Sequence, residues 1–206
     1  MNNFAKFILL GPRNVGKTNV GKRLSSLIDI PCIDLDDIVR EKFGSVTEIV
    51  MKNGWENFRK IENTILKNLL NEYNSKDVIL ILGGGTIAHK FDDLREANIK
   101  LLNEFCPSEK VLILPYKNLQ RNAKILLQRM NNRNDNVNSK PPLTSLSPED
   151  EMLHILSTRK RYYEDFASYT LYTHSLKEEE VTTKFIRIFS KTHLAGHICN
   201  QKLYKI

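Results

Sequence analysis

Apolar residues follow two alternating rhythms along this chain. Runs of strand length, apolar or nearly so, lie at residues 7–10, 31–34, 77–82 and 110–114, with a weaker one at 171–173. Between them, apolar residues recur three and four positions apart. Val20, Leu24, Leu27 and Ile28 share one face of a helix predicted over residues 16–27. Phe58, Ile61, Ile65, Leu66 and Leu69 do the same over residues 56–73. The pattern predicts further helices at 36–43, 92–103, 119–129, 148–166 and 179–189. The run from Val78 to Leu82 carries no polar residue, as a strand covered on both faces of a parallel sheet requires. Strand–helix alternation of this kind predicts a doubly wound α/β fold, a three-layer α/β/α sandwich with a five-stranded parallel sheet flanked by helices.

Residues 130–147 break the rhythm with five asparagines, two adjacent prolines and no apolar period. A long loop of this kind inside a compact domain reads as a mobile lid, ordered when ligand binds. Residues 1–190 therefore read as one domain and 191–206 as a C-terminal tail. His193, His197 and Cys199 in that tail resemble metal ligands in spacing. Gly196 lies between the histidines and no fourth ligand is evident, so the bland reading, a surface tail, is preferred.

Composition narrows the class. With 206 residues, 41% hydrophobic and 27% charged, the chain can bury a core and is not a disordered polymer. No window approaches the roughly 18 apolar residues of a membrane helix. The first strand-like run begins almost at once, with no signal or transit pattern before it, and the three cysteines are odd in number and widely spaced. A cytoplasmic monomer away from membranes is the expectation. The net charge of +7 is scattered, without a dense basic tract. It favours a small-anion site over nucleic acid.

One motif decides the class of chemistry. Gly11-Pro12-Arg13-Asn14-Val15-Gly16-Lys17-Thr18 follows the first strand and opens the first helix, matching the P-loop pattern G-x-x-x-x-G-K-[ST] at every fixed position. In such a loop, backbone N–H groups and the helix N-terminus surround the phosphates. Lys17 then reaches the β- and γ-phosphates, and the Thr18 hydroxyl is placed for Mg²⁺. The motif fixes nucleoside triphosphate binding but leaves the acceptor open.

The acceptor side is expected at the carboxyl ends of neighbouring strands. Asp34-Leu35-Asp36 ends the second strand, and extended backbone would turn both carboxylates to one side. One could hold the metal's water shell and the other take a proton from an attacking hydroxyl. Helix capping by Asp36 and Asp37 is the bland alternative. Gly83-Gly84-Gly85 directly follows the third strand and allows close approach of a ligand to backbone. Arg59 and Arg159 supply planar forks suited to a carboxylate, although each alone could be a solvated surface charge. Trp55 reads as packing, and His89 is uninformative alone.

Taken together, these residues resemble the shikimate kinase family, within the nucleoside monophosphate kinase-like P-loop group. The resemblance spans residues 7–189. After the P-loop comes Gly21-Lys22-x-Leu24; Asp34-Leu35-Asp36 resembles the family's D-x-D. Residues 54–62, GWENFRKIE, resemble G-E-x-x-F-R-x-x-E, and Gly83-Gly84-Gly85 falls on the triple glycine. Arg133, six residues and Lys140-Pro141-Pro142-Leu143 resemble the lid pattern R-x6-R-P-L-L. Arg159-x-x-x-Tyr163 resembles R-x-x-x-Y. Departures are Asn14 for an inner glycine, Asn19 for Ser or Thr, Lys140 for a lid arginine, Pro142 for a lid leucine, Val50 for an aromatic and Tyr172 for an Asp.

The resemblance implies ATP-dependent phosphorylation of the shikimate 3-hydroxyl, with Mg²⁺ as cofactor and ATP/ADP and shikimate as partners. It implies ATP contacts from Gly11, Asn14, Val15, Gly16, Lys17, Thr18, Asn19, Arg133 and Lys140. It puts Mg²⁺ on Thr18 directly and on Asp34 through water. The acceptor would be held by Asp36, Arg59, Gly83, Gly84, Gly85 and Arg159. The catalytic set implied is Lys17, Asp36, Arg133 and Lys140. A gluconate kinase, a nucleoside monophosphate kinase and a non-catalytic nucleotide-binding module remain the competing readings.

Overall fold

A computed structural model describes residues 4–132, 144–174 and 176–189. Five strands, β1 (Lys6–Leu10), β2 (Cys32–Asp34), β3 (Val78–Ile81), β4 (Glu109–Leu114) and β5 (Tyr169–Tyr172), form one sheet in the order β2-β3-β1-β4-β5. Every pairing is parallel. Seven helices among the described residues complete it: α1 (Lys17–Ile28), α2 (Leu35–Phe43), α3 (Val46–Glu72), α4 (Asp92–Glu104), α5 (Leu119–Asn131), α6 (Pro148–Phe166) and α7 (Glu178–Phe189). No helix among the described residues is long and apolar enough to cross a membrane.

The two-residue period of the strands builds two cores. Phe7, Leu9, Ile79, Ile81, Val111 and Ile113 face one side, joined by residues of α1, α5, α6 and α7. Ile8, Leu10, Val78, Leu80, Leu112 and Leu114 face the other, joined by α2, α3 and α4 and by the later part of α6. Burying each such side chain contributes about 1.5–3 kcal/mol, which explains why the apolar runs admit no interior polar residue. The expected three-layer arrangement with five parallel strands is what the chain adopts.

Register aligns the strand ends that matter. Leu9 and Asp34 both pair with Ile81. Gly11 and Gly83, each two residues beyond its strand partner, therefore emerge at the same edge as Asp34. This is the carboxyl edge, where loops of an open parallel sheet bind ligands.

Two elements depart from the expectation. The helix predicted from residue 56 begins at Val46, and Gly54 interrupts it with φ 75° and ψ 169°. Its start is set by a capping box: Glu48 N–H donates to Ser45 Oγ at 3.1 Å, and Ser45 N–H donates to Glu48 Oε2 at 2.7 Å. Glycine suits position 54 because of that backbone conformation, since a Cβ there would meet nothing within 4 Å. The second departure is at Asp36. The strand stops at Asp34, so Asp36 lies in the first turn of α2, not on extended backbone. The cap is Asp34, whose Oδ1 accepts from Asp36 N–H at 3.1 Å; Asp36 and Asp37 are acidic first-turn residues.

Candidate active site

The P-loop takes the conformation its glycines predict. Gly11 has φ 138°, and a Cβ there would stand 2.5 Å from Ile113 O. Asn14 has φ 63°, left-handed backbone that asparagine tolerates. The departure from glycine at 14 therefore leaves the turn intact. Lys17 is buried, and its Nζ donates to Gly11 O and Pro12 O, each at 3.0 Å. Arg129, near the end of α5, donates from Nη1 to Val15 O at 3.1 Å and Asn14 O at 3.4 Å, tying the outer turn to that helix. The Val15 side chain packs into the core and Asn19 is exposed, leaving mainly backbone groups of the loop for phosphate.

Thr18 Oγ1 donates to Asp34 Oδ2 at 2.7 Å. Burial raises the Asp34 pKa, the Thr18 hydrogen bond opposes this, and the Asp36 and Asp37 carboxylates add to the rise. One hydroxyl and one carboxylate, both hard oxygen donors beside the phosphate loop, fit Mg²⁺, which takes few protein ligands and completes its shell with phosphate and water.

Beside the P-loop, three glycines are packed against polar groups. A Cβ on Gly83 would stand 2.7 Å from Asp36 Oδ1, one on Gly84 3.0 Å from Arg13 N, and one on Gly85 2.2 Å from Arg59 Nη2. The run is glycine because Asp36, Arg59 and the P-loop backbone occupy the space of its side chains.

Arg59 is buried, and its Nη1 donates to Glu62 Oε2 at 2.5 Å. Glu62 has no exposed surface, and its Oε1 accepts from Thr86 Oγ1 at 2.7 Å. The guanidinium also lies over Phe58, 4.9 Å from the ring centroid, and near Trp55 at 5.8 Å. Its orientation is thus fixed by a carboxylate and two rings. From α6, Arg159 Nη1 donates to Gly84 O at 2.8 Å, and the Tyr163 hydroxyl donates to the same oxygen. Arg13, Asp36, Val46, Trp55, Phe58, Arg59, Gly83, Gly84, Gly85 and Arg159 line one cleft.

A sequence model of shikimate kinase matches residues 13–190. The chain belongs to the shikimate kinase family. It is 30% identical to the shikimate kinase of Caldanaerobacter subterraneus subsp. tengcongensis over 185 residues, 89% of this chain and 95% of that protein. It is 26% identical to the pentafunctional AROM polypeptide of Eremothecium gossypii over 89% of this chain, but spans only 11% of that polypeptide. The structure of shikimate kinase from Acinetobacter baumannii in complex with shikimate superposes with a TM-score of 0.75 at 25% identity, covering 93% of this chain and 96% of that one. A gluconokinase from Sinorhizobium meliloti shares the fold, with a TM-score of 0.56 at 16% identity.

In this shikimate kinase-family chain, the cleft gathers Asp36, Arg59, all three glycines and Arg159, while Lys17, Thr18 and Asp34 cluster at the adjoining P-loop. Arg133 and Lys140, and most of the expected lid, lie outside the described residues, as do His193, His197 and Cys199. Val50, which stands where the family pattern has an aromatic, packs against the core, and Val46 lines the cleft. Tyr172 packs against the same core. Sequence reasoning missed Arg13, Val46, Glu62 and Thr86, and Trp55 lines the cleft in addition to packing. The three-residue spacing of Arg59 and Glu62 on one helix face was the signal for the pair.

His89 lies beyond the glycines, and its Nδ1 accepts from Phe91 N–H at 3.2 Å. Burial first, then Arg59, Arg95 and Arg159, push its pKa from 6.5 down to about 3; Asp92 opposes them weakly. Above pH 6.5 the imidazole is neutral in both folded and unfolded chains. Between 6.5 and about 3 the unfolded chain takes up this proton and the folded one does not, so stability falls as the pH falls. Asp34, with its raised pKa, works in the opposite sense. His89→Gln is therefore expected to flatten the acid limb of a melting-temperature profile from about pH 7 to 4. An unchanged limb would assign acid lability to other groups.

Proposed function

We propose that this chain transfers the γ-phosphoryl group of ATP to the 3-hydroxyl of shikimate, giving shikimate 3-phosphate and ADP. The observation that carries the reading is the single cleft uniting Asp36, the glycine run and two guanidiniums, with the P-loop forming one wall. Arg59 and Arg159 take the carboxylate of the acceptor. Asp36 orients the attacking hydroxyl and accepts its proton as the new O–P bond forms and the bond to the β-phosphate oxygen breaks. Lys17 exchanges its two loop carbonyls for phosphate oxygens. The transition state is loose, so positioning and charge compensation supply most of the acceleration. Thr18 and Asp34 would hold Mg²⁺, which when bound neutralises charge on the β- and γ-phosphates. Arg133 and Lys140 are assigned to closure over ATP, which excludes water as a competing acceptor.

We further read residues 1–190 as one kinase domain acting as a cytosolic monomer, without nucleic acid. Cys32 and Cys106 are unpaired thiols, and burial, aided by Asp34, pushes Cys32 up to about 11, which keeps it protonated and unreactive.

The test is ADP release from ATP and Mg²⁺ with shikimate, gluconate, AMP or no acceptor. Shikimate alone is expected to drive turnover. Turnover with gluconate or AMP instead would replace the acceptor assignment, and no turnover with any would favour a nucleotide-binding module. Lys17→Met is expected to lower kcat by about 10²–10³, the loss typical when one transition-state donor is removed.

A further inference from the structure

The mechanism above uses two of the three guanidiniums in the cleft. The third belongs to Arg13, the third residue of the P-loop. Its backbone N–H abuts Gly84, where the P-loop meets the glycine run. Its side chain lines the cleft with Asp36, Arg59 and Arg159. Its partner is Glu151, in the first turn of α6, at 3.4 Å from Nη2, the outer limit of a hydrogen bond. Its Nε is buried and donates to nothing among the described residues.

These contacts differ from those of the other two. Arg59 is held by Glu62 at 2.5 Å and Arg159 by Gly84 O at 2.8 Å, so both are fixed on the acceptor side. Arg13 is held loosely, on the loop that surrounds the donor phosphates. A desolvated N–H without an acceptor is unfavourable, and the positive charge of Arg159 nearby adds to that. An anion between donor and acceptor relieves both. A planar fork matches the oxygens of a phosphoryl group in two parallel hydrogen bonds.

Resting on the functional reading above, we propose that Arg13 is a catalytic residue: its guanidinium leaves Glu151, grips the phosphoryl oxygens during transfer from ATP to the acceptor, and then holds the 3-phosphate of the product. The bonds made and broken are those already described. Arg13 adds charge where charge is in transit and plays no part in holding the unphosphorylated acceptor.

Kinetics and product inhibition of purified variants test the assignment. Arg13→Met is expected to lower kcat by about 10²–10³. It should shift the shikimate KM less than about threefold and raise the inhibition constant of shikimate 3-phosphate at least about tenfold, the value of one charged contact. Arg13→Lys, which keeps charge without the fork, should fall between. Glu151→Gln frees the guanidinium and should lower the product inhibition constant, the opposite direction. If Arg13→Met raises the shikimate KM and spares kcat, Arg13 is an acceptor clamp and the proposal fails. If Arg13→Met and Glu151→Gln shift product affinity the same way, the pair is only a tie between loop and helix, and the proposal fails. Melting curves with ADP report folding; should Arg13→Met not fold, the opposed shifts of Arg13→Lys and Glu151→Gln decide. A wild-type chain inert toward shikimate would instead overturn the functional reading, and this assignment with it.

Discussion

Arg59→Ala is expected to melt on the order of 10 °C below the wild-type chain. Glu62 has no exposed surface and meets Arg59 at 2.5 Å, so truncating the arginine leaves a buried carboxylate without its countercharge. Breaking such a pair costs about 3–5 kcal/mol. For a chain of this size each kcal/mol moves the midpoint by about 2–4 °C. In the folded fraction, the KM for shikimate should rise by about 10–100-fold, because a charge-assisted hydrogen bond is worth roughly 1.5–3 kcal/mol. Adding Glu62→Gln to Arg59→Ala separates the two effects. The melting point should recover in part while the KM stays high. If stability and KM recover together, Arg59 acts only by shaping the fold. A KM that never moved would remove Arg59 from the carboxylate clamp.

Asp36→Asn is expected to lower kcat by about 10²–10⁴, the range for loss of a general base. Little of that loss should come from misfolding. The cap of α2 is Asp34, and Asp36 adds a first-turn charge to that helix, worth about 0.3–1 kcal/mol. An unchanged melting profile with a collapsed kcat would therefore locate the effect at the hydroxyl. If kcat stayed within about threefold and only KM rose, Asp36 would hold the acceptor without taking its proton, and the general-base assignment would be withdrawn.

Features legible in the sequence were those whose physics is local. The P-loop residues from Gly11 to Thr18 carry their own turn and charge, and the apolar runs set the strands without help from distant residues. Gly83-Gly84-Gly85 was legible as a place where something approaches backbone closely. What approaches it was not: Asp36 Oδ1, Arg13 N and Arg59 Nη2 reach it from three separate elements. The start of α3 was missed although its capping box at Ser45 and Glu48 is local, because Gly54 splits the apolar period that identifies the later part. Asp36 reaches the cleft by a different route from the one expected. Extended backbone would have turned it to the side of Asp34, whereas the first turn of α2 carries it. Arg13 escaped notice because it fills a variable position of its motif. Its meaning arises only when the sheet register brings the loop against the glycine run.

Helix α6 meets both halves of the cleft. Glu151 contacts the phosphate loop through Arg13, and about two and three turns further along Arg159 and Tyr163 hold the carbonyl of Gly84. A ligand that shifts α6 at one of these walls would alter the other wall as well. By thermodynamic reciprocity, any factor by which nucleotide changed the affinity for the proposed acceptor would equal the factor by which that acceptor changed the affinity for nucleotide.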